Sequence, residues 1–249
     1  YAHWQMLLSS AVPCLLILFL NLMPQKEVAE LDMARALACD AMCVQLIPIK
    51  IAGQQYKTTP QAHMESFYRN FEEVSEEKFD ALIINGAPLE HLPYEEVRYW
   101  KALQGIMDWA DTHVNATLFI CWGAQAALYH HYGINKYALS EKMFGIFPQD
   151  CVTSSPMTKG LSAGFAMPNS RHTEVRATDF NYPDLLITAS SAESGVGIVE
   201  DAKMHRTFVM GHLEYEPNTL DNEYKRDLAK QLPIAVPKHY YEGDDPSKT

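Results

Sequence analysis

The segment Thr117-Leu-Phe-Ile-Cys-Trp-Gly-Ala-Gln-Ala126 is an apolar run that stops at a cysteine and continues in small residues suited to opening a helix. A thiol at a strand-to-helix junction lies beside unpaired helix N–H groups, whose partial positive charge favours the nucleophilic thiolate. The same N–H groups, that of Trp122 among them, can hold a developing oxyanion, and one such donor contributes about 3 kcal/mol to acyl transfer. The bland alternative for Cys121 is a small buried hydrophobe, the usual fate of a free cysteine.

A thiolate needs a base, and Phe208-Val-Met-Gly-His-Leu-Glu-Tyr-Glu216 supplies one where an apolar run meets a polar tip. His212 and Glu214 stand two apart, so in an extended segment they share a face and the carboxylate can orient the imidazole. Cys121, His212 and Glu214 together make a Cys-His-Glu triad the expectation. Zinc is the rival reading of the His-x-Glu pair, but no third ligand has suitable spacing, and no metal is expected. His130 and His131 are read as packing or surface residues.

Two more segments carry polar or small residues at the ends of apolar runs. Asn85-Gly-Ala-Pro-Leu-Glu90 lets the backbone at Gly86 and Ala87 come close to a ligand, as a second oxyanion donor or as an ordinary turn. Ser170-Arg-His-Thr-Glu174 is dense in hydrogen-bonding groups and reads equally as a surface loop or as a substrate site.

These residues need elements to position them. Short apolar runs bounded by turn residues predict strands at 14–20, 43–49, 80–86, 116–122, 185–189, 195–199 and 206–210, the earlier ones covered on both faces. Helical patterns fall at 26–38, 63–74, 94–109, 123–132 and 219–231. The alternation predicts a layered α/β fold with ligands at the carboxyl ends of the strands. With 249 residues, 47% of them hydrophobic, the chain can bury one large core, and residues 1–249 are read as a single domain whose last residues, 240–249, fray or lie on the surface.

A formal charge of −11, from 20 Lys and Arg against 31 Asp and Glu, provides no field for a phosphate backbone and argues against nucleic acid as a partner. Cysteines at 14, 39, 43, 121 and 151 are odd in number and lack a CxxC pair, which predicts free thiols in a reducing compartment. The Leu-rich stretch 7–23 is broken by Ser9, Ser10, Pro13 and Asn21 and has no basic leader, so it reads as a buried strand and loop and not as a signal or membrane span.

The blocks LNLMPQK (20–26), NGAPLEHLPYEEVRYW (85–100), TLFICWGAQAALYHHYGINKY (117–137), EKMFGIF (141–147), SRHTEVR (170–176) and GHLEYEPNTLDNEYKRDL (211–228) resemble the homoserine O-acyltransferases of the succinyltransferase/acetyltransferase type. That resemblance implies a three-layer α/β/α fold of the class I glutamine-amidotransferase kind with a mostly parallel sheet. It implies Cys121 as acyl-thioester nucleophile, His212 as proton acceptor and Glu214 as its partner, the same three residues reached above. Lys142, Ser170 and Arg226 match positions that contact the amino-acid substrate, and Lys26 matches a lysine near the acyl site. Glu90 falls where the family selects its acyl-CoA, a glutamate going with acetyl-CoA and a glycine with succinyl-CoA. A carboxylate there narrows the pocket and repels the succinyl carboxylate.

The activity implied is O-acetylation of homoserine by acetyl-CoA as co-substrate, with no bound cofactor, in a cytoplasmic homodimer of methionine or cysteine biosynthesis. Serine as acceptor, succinyl-CoA as donor and a non-catalytic binding protein on the same fold are the competing readings. Phe119, two residues before Cys121, stands where glutamine amidotransferases favour glycine, which disfavours that activity. The helix after LNLMPQK reads EVAELDMARALACDAM and departs from the family's usual Thr-Glu and Gln-Leu-Leu-Arg-Leu-Leu run.

Overall fold

The computed structural model describes residues 13–248 apart from 41, 55 and 57, so residues 7–12 of the Leu-rich stretch lie outside the described residues. Its frame is a ten-stranded sheet in the order β3-β2-β1-β4-β5-β10-β9-β8-β6-β7. The strands are β1 (Cys14–Leu20), β2 (Cys43–Lys50), β3 (Arg69–Asn70), β4 (Phe79–Ile84), β5 (Val114–Ile120), β6 (Tyr137–Cys151), β7 (Phe165–Glu174), β8 (Leu185–Ser191), β9 (Gly195–Asp201) and β10 (Arg206–Val209). From β3 to β10 neighbouring strands run parallel. From β10 to β7 they run antiparallel.

Helices cover both faces of the parallel part, because its strands are apolar on both sides. Leu18, Leu20, Leu82, Ile84 and Phe119 pack with α3 (Trp100–His113) and α4 (Trp122–Tyr132). The alternate residues Ile17, Phe19, Ile83 and Ile120 pack with Met33 of α1 (Lys26–Ala36). The period of two along each strand separates these layers. The remaining helices are α2 (Gln61–Phe67) and α5 (Thr219–Ala229). No helix among the described residues is long and apolar enough to cross a membrane.

Several expectations are corrected. The helical pattern 63–74 ends at Phe67, because the chain extends at Tyr68 and enters β3 before a short 3-10 turn at 71–73. The pattern 94–109 divides into a 3-10 turn at 94–96 and α3, with extended backbone at Val97 between them. Ser170–Glu174 is not a surface loop but the end of β7, and β6, its antiparallel partner, lies where no strand was predicted. The segment 240–249, expected to fray or lie on the surface, is exposed at 242–244 and 246–248, but Tyr241 is buried and donates its hydroxyl to Asp221 at 2.6 Å.

Cys14 and Cys43, expected as free thiols, form a disulfide across β1 and β2. They are register partners on adjacent parallel strands, with Cα atoms 4.4 Å apart, a pairing that no sequence spacing discloses. Cys39, Cys121 and Cys151 are free, and of these only Cys121 is buried.

Candidate active site

Cys121 is the single residue between β5 and α4, and its backbone is held at φ 54° and ψ −119°. A non-glycine residue pays about 1–3 kcal/mol for such a conformation, which persists only where the surroundings enforce it. Here its N–H donates to Val209 O at 2.8 Å and its C=O accepts from Gln125 N–H at 3.1 Å. Gly123 lets the helix start press on β4: a Cβ there would lie 2.7 Å from Asn85 O.

His212 follows β10, the parallel neighbour of β5, and this adjacency brings it to Cys121. Its N–H donates to Pro168 O on β7 at 2.8 Å, and Gly211 before it has room for no side chain, a Cβ meeting Pro168 O at 2.6 Å. Nδ1 lies 2.7 Å from Glu214 Oε1, and the Cys121 side chain is within electrostatic reach of the ring. Burial opposes charge on the ring, but the Glu214 carboxylate, Cys121 and the hydrogen bond to Glu214 hold its pKa well above the usual value. The ring of Tyr215 stacks on His212 with centroids 4.1 Å apart.

The other side of Cys121 is backbone. A Cβ on Gly86 would lie 3.3 Å from Cys121 Cβ and 3.5 Å from Trp122 N, so the chain between β4 and α3 adjoins the first N–H of α4. Ala87 is buried beside it. Lys26 is buried behind this loop and donates to Asn21 O at 2.5 Å and Met23 O at 3.2 Å. Burial, partly offset by Glu30, pulls its pKa down to about 8. Asn21 joins Lys26 to Asn85, whose Nδ2 donates to Asn21 Oδ1 at 3.0 Å.

The remaining expected residues gather around α5 and the β6–β7 hairpin. Lys142 Nζ bonds Glu223 at 2.7 Å and lies over the ring of Phe144, the register partner of Ser170. Arg226 is joined to Asp227 at 2.6 Å and to Glu223 at 3.4 Å. Glu90 stands with Lys136 and Thr173 along a groove of about 380 Å³, and His172 lies within electrostatic reach of both Glu90 and Lys142. A wider cleft of about 570 Å³, beside Tyr56 and Met64, has none of these residues in its wall. Metal-capable donors come together at Asp108, His130 and His131 among the described residues; His212 and Glu214 are not in that group.

Three nearby residues escaped the sequence reading. Tyr215 has its phenol pKa raised by burial and by Glu214, Glu223, Cys121 and Asp32, which places it among them. Arg171 is 2% exposed and donates to Asn169 Oδ1 and to the carbonyls of Thr173 and Ser194, with no carboxylate bonded to it among the described residues. Burial lowers its pKa while Cys121 and Glu174 act against that, so a buried cation stands near the thiol. The alternation of buried positions 167, 169, 171 and 173 was the available signal. Asp32, on α1, is buried near Glu214 and His212.

Solved structures similar to the chain include a glutamine amidotransferase from Thermotoga maritima (TM-score 0.57, 10% identity, 87% of this chain and 84% of that one). The glutaminase domain of Trypanosoma brucei CTPS with bound acivicin gives TM-score 0.56 at 14% identity over 90% and 97% of the two chains. These identities speak for the class I glutamine-amidotransferase-like fold alone. Homoserine O-acetyltransferase of Bacteroides fragilis is 48% identical over 234 residues, covering 93% of this chain and 77% of the relative. That of Geobacillus kaustophilus is 47% identical over 93% and 78%. The homoserine O-succinyltransferase family model matches residues 7–249, and with relatives at this identity along nearly the whole chain, the protein belongs to the homoserine O-succinyltransferase family of acyltransferases.

Proposed function

We propose that the protein is a homoserine O-acetyltransferase that works through an acetyl-Cys121 intermediate. The observation that supports the reading is His212 Nδ1 at 2.7 Å from Glu214 Oε1, on the strand end beside a cysteine held at positive φ. In the first half-reaction the Cys121 thiolate attacks the acetyl-CoA carbonyl carbon. The oxyanion forms against the N–H groups of Trp122 and the Gly86–Ala87 backbone; the C–S bond to CoA then breaks, and the departing thiolate takes the His212 proton. One thioester replaces another.

Acetylation removes the anion that keeps a proton on His212, so the imidazole becomes a base as the second half-reaction begins. It takes the proton of the acceptor hydroxyl, the oxygen attacks the acetyl carbon, and the Cys121 thiolate leaves. Formation of the less activated oxygen ester draws the cycle forward. Lys142 and Arg226 are suited to the acceptor's carboxylate, Ser170 stands on the same hairpin, and Lys26 supports the acyl-site loop from behind. The Glu90 carboxylate beside the groove favours an acetyl over a succinyl donor, in line with the names of the relatives. A single acyltransferase domain, a cytoplasmic home and a homodimer belong to the same reading and rest on the family.

Intact-mass measurement after brief exposure to acetyl-CoA tests it. The expected result is one acetyl adduct on Cys121, discharged by homoserine. Discharge by serine alone would reassign the acceptor, an adduct only with succinyl-CoA would reassign the donor, and no adduct with either would leave a binding protein on this fold.

A further inference from the structure

At the end of α4 away from Cys121, two helices bring three metal-capable side chains to one place. Asp108 lies on α3, His130 and His131 in the last turn of α4, and one donor atom of each lies within 4.8 Å of the other two. His130 Nε2 meets Asp108 Oδ1 at 2.6 Å, and its Nδ1 lies 3.1 Å from the side-chain nitrogen of Gln104, one turn before Asp108 on α3. Successive residues of a helix point about 100° apart, which normally sends two adjacent histidines to different faces. Here the ring centroids of His130 and His131 are 4.7 Å apart. Trp100 stands edge-on to His130 and Phe119 edge-on to His131, so packing holds both rings.

A packing or surface role accounts for His130 but leaves His131 short: its Nε2 is buried without a hydrogen-bond partner among the described residues. A buried polar atom in a native fold calls for a partner, and the lone pair of a neutral imidazole is the commonest one that proteins offer to a metal. The surroundings suit a cation. The last turn of α4, closed by Gly133, presents the carbonyl end of the helix dipole, and Asp108 adds a full negative charge. Arg206, whose charge reaches His131, is held by Asp111 through two contacts of 2.6 Å. Two imidazoles and one carboxylate fit a zinc-class divalent ion, whereas calcium and magnesium take oxygen ligands. The Asp108 side chain is 63% exposed, so water reaches the open side and completes the coordination.

We propose that Asp108, His130 and His131 form a binding site for a zinc-class divalent ion that ties α3 to α4. The ion replaces the proton between His130 and Asp108. That proton moves to Nδ1 of the same ring and is donated to the carbonyl oxygen of Gln104 once its amide turns over, while His131 Nε2 gains the partner it lacks. The site needs no part of the acyl-transfer reading, and its readouts are metal binding and thermal stability.

The test is calorimetric titration of zinc into the metal-stripped protein, with cobalt(II) as the spectroscopic probe, on the wild type, Asp108→Asn, His130→Ala and, as a histidine outside the site, His239→Ala. The wild type and His239→Ala are expected to take one zinc per chain, and cobalt(II) to show d–d bands without a sulfur-to-cobalt charge-transfer band. The thermal midpoint should rise by about 5 °C or more at a hundredfold excess of zinc over Kd. Asp108→Asn and His130→Ala should each weaken zinc at least about tenfold. Asp108 is exposed, so its substitution leaves the fold intact, and circular dichroism checks both variants. Absence of saturable zinc binding by the wild type, a sulfur-to-cobalt band at one equivalent, or wild-type affinity in folded Asp108→Asn overturns the proposal.

Discussion

The two flanks of Cys121 are built from different interactions. On the side of β1 and β4, Asn21, Asn85, Lys26 and Tyr68 form a buried net in which Asn21 alone accepts from Asn85 at 3.0 Å and donates to Lys26 O at 3.1 Å and Tyr68 at 3.0 Å. Asn85 Oδ1 in turn accepts Leu22 N–H at 2.6 Å. On the side of α5 and the β6–β7 hairpin, Lys142, Glu223, Arg226 and Asp227 form ion pairs, with the Arg226 side chain 44% exposed. A buried hydrogen-bond net cannot shift without leaving donors unmade, at about 1–3 kcal/mol each, so it fixes the backbone of Gly86. Partly exposed ion pairs exchange partners at a cost of about 1 kcal/mol or less, so they can release cations to an arriving carboxylate. Under the proposed acyl transfer the rigid flank serves the oxyanion and the exchangeable flank the substrate.

The comparison has no centre unless Cys121 is the reacting atom. Cys121→Ala should lower kcat by at least about 10³-fold with the fold intact, and steady-state kinetics beside a thermal unfolding curve checks both.

Rigidity of the first flank has a pH signature. Lys26, pulled down to about 8, is disfavoured as a cation in the fold. Below that pH both states hold the proton and the full cost, on the order of 3 kcal/mol, is present. As pH rises from about 8 toward the ordinary lysine value the unfolded chain keeps a proton that the folded one has lost, so stability from this residue rises with pH. Denaturant midpoints of wild type and Lys26→Met should therefore move apart in the wild type's favour between pH 7 and 10, and parallel curves would show that the net does not strain this lysine.

Gly86→Ala places a methyl 3.3 Å from Cys121 Cβ and 3.5 Å from Trp122 N, in the space assigned to the oxyanion. A fall of about 10–100-fold in kcat, with little change in stability, is expected from single-turnover acylation. An unaltered rate would move the oxyanion elsewhere. The smallest effect belongs to the exchangeable flank: Glu223→Gln should lower the homoserine KM a few-fold, by leaving Lys142 and Arg226 less neutralised, and shift stability by about 1 kcal/mol or less. A strongly destabilised Glu223→Gln would mean that these pairs hold the fold.

Some of this was legible before folding. Strand β1 coincides with the predicted 14–20, and the junction at Cys121 and the two-residue spacing of His212 and Glu214 were visible because each depends on a few neighbouring residues. The β6–β7 hairpin was not, since β6 mixes buried and exposed positions and its register shifts between Ala138 and Met143, which breaks the period that marks a strand. With that hairpin went the meaning of Arg171, which reads as a polar loop residue until alternation turns it inward.

What the sequence by itself determined is therefore local: the strand–turn–helix at Cys121, the His212 imidazole with Glu214 two residues on, and the apolar runs that demand a sheet covered on both faces. What only the tertiary structure decided is which distant residues meet. The pairing of β10 beside β5 brings His212 to Cys121, the pairing of β1 with β2 joins Cys14 to Cys43, and the packing of α3 against α4 brings Asp108 to His130. Register and helix packing are summed over many weak contacts, so no single spacing in the chain encodes them.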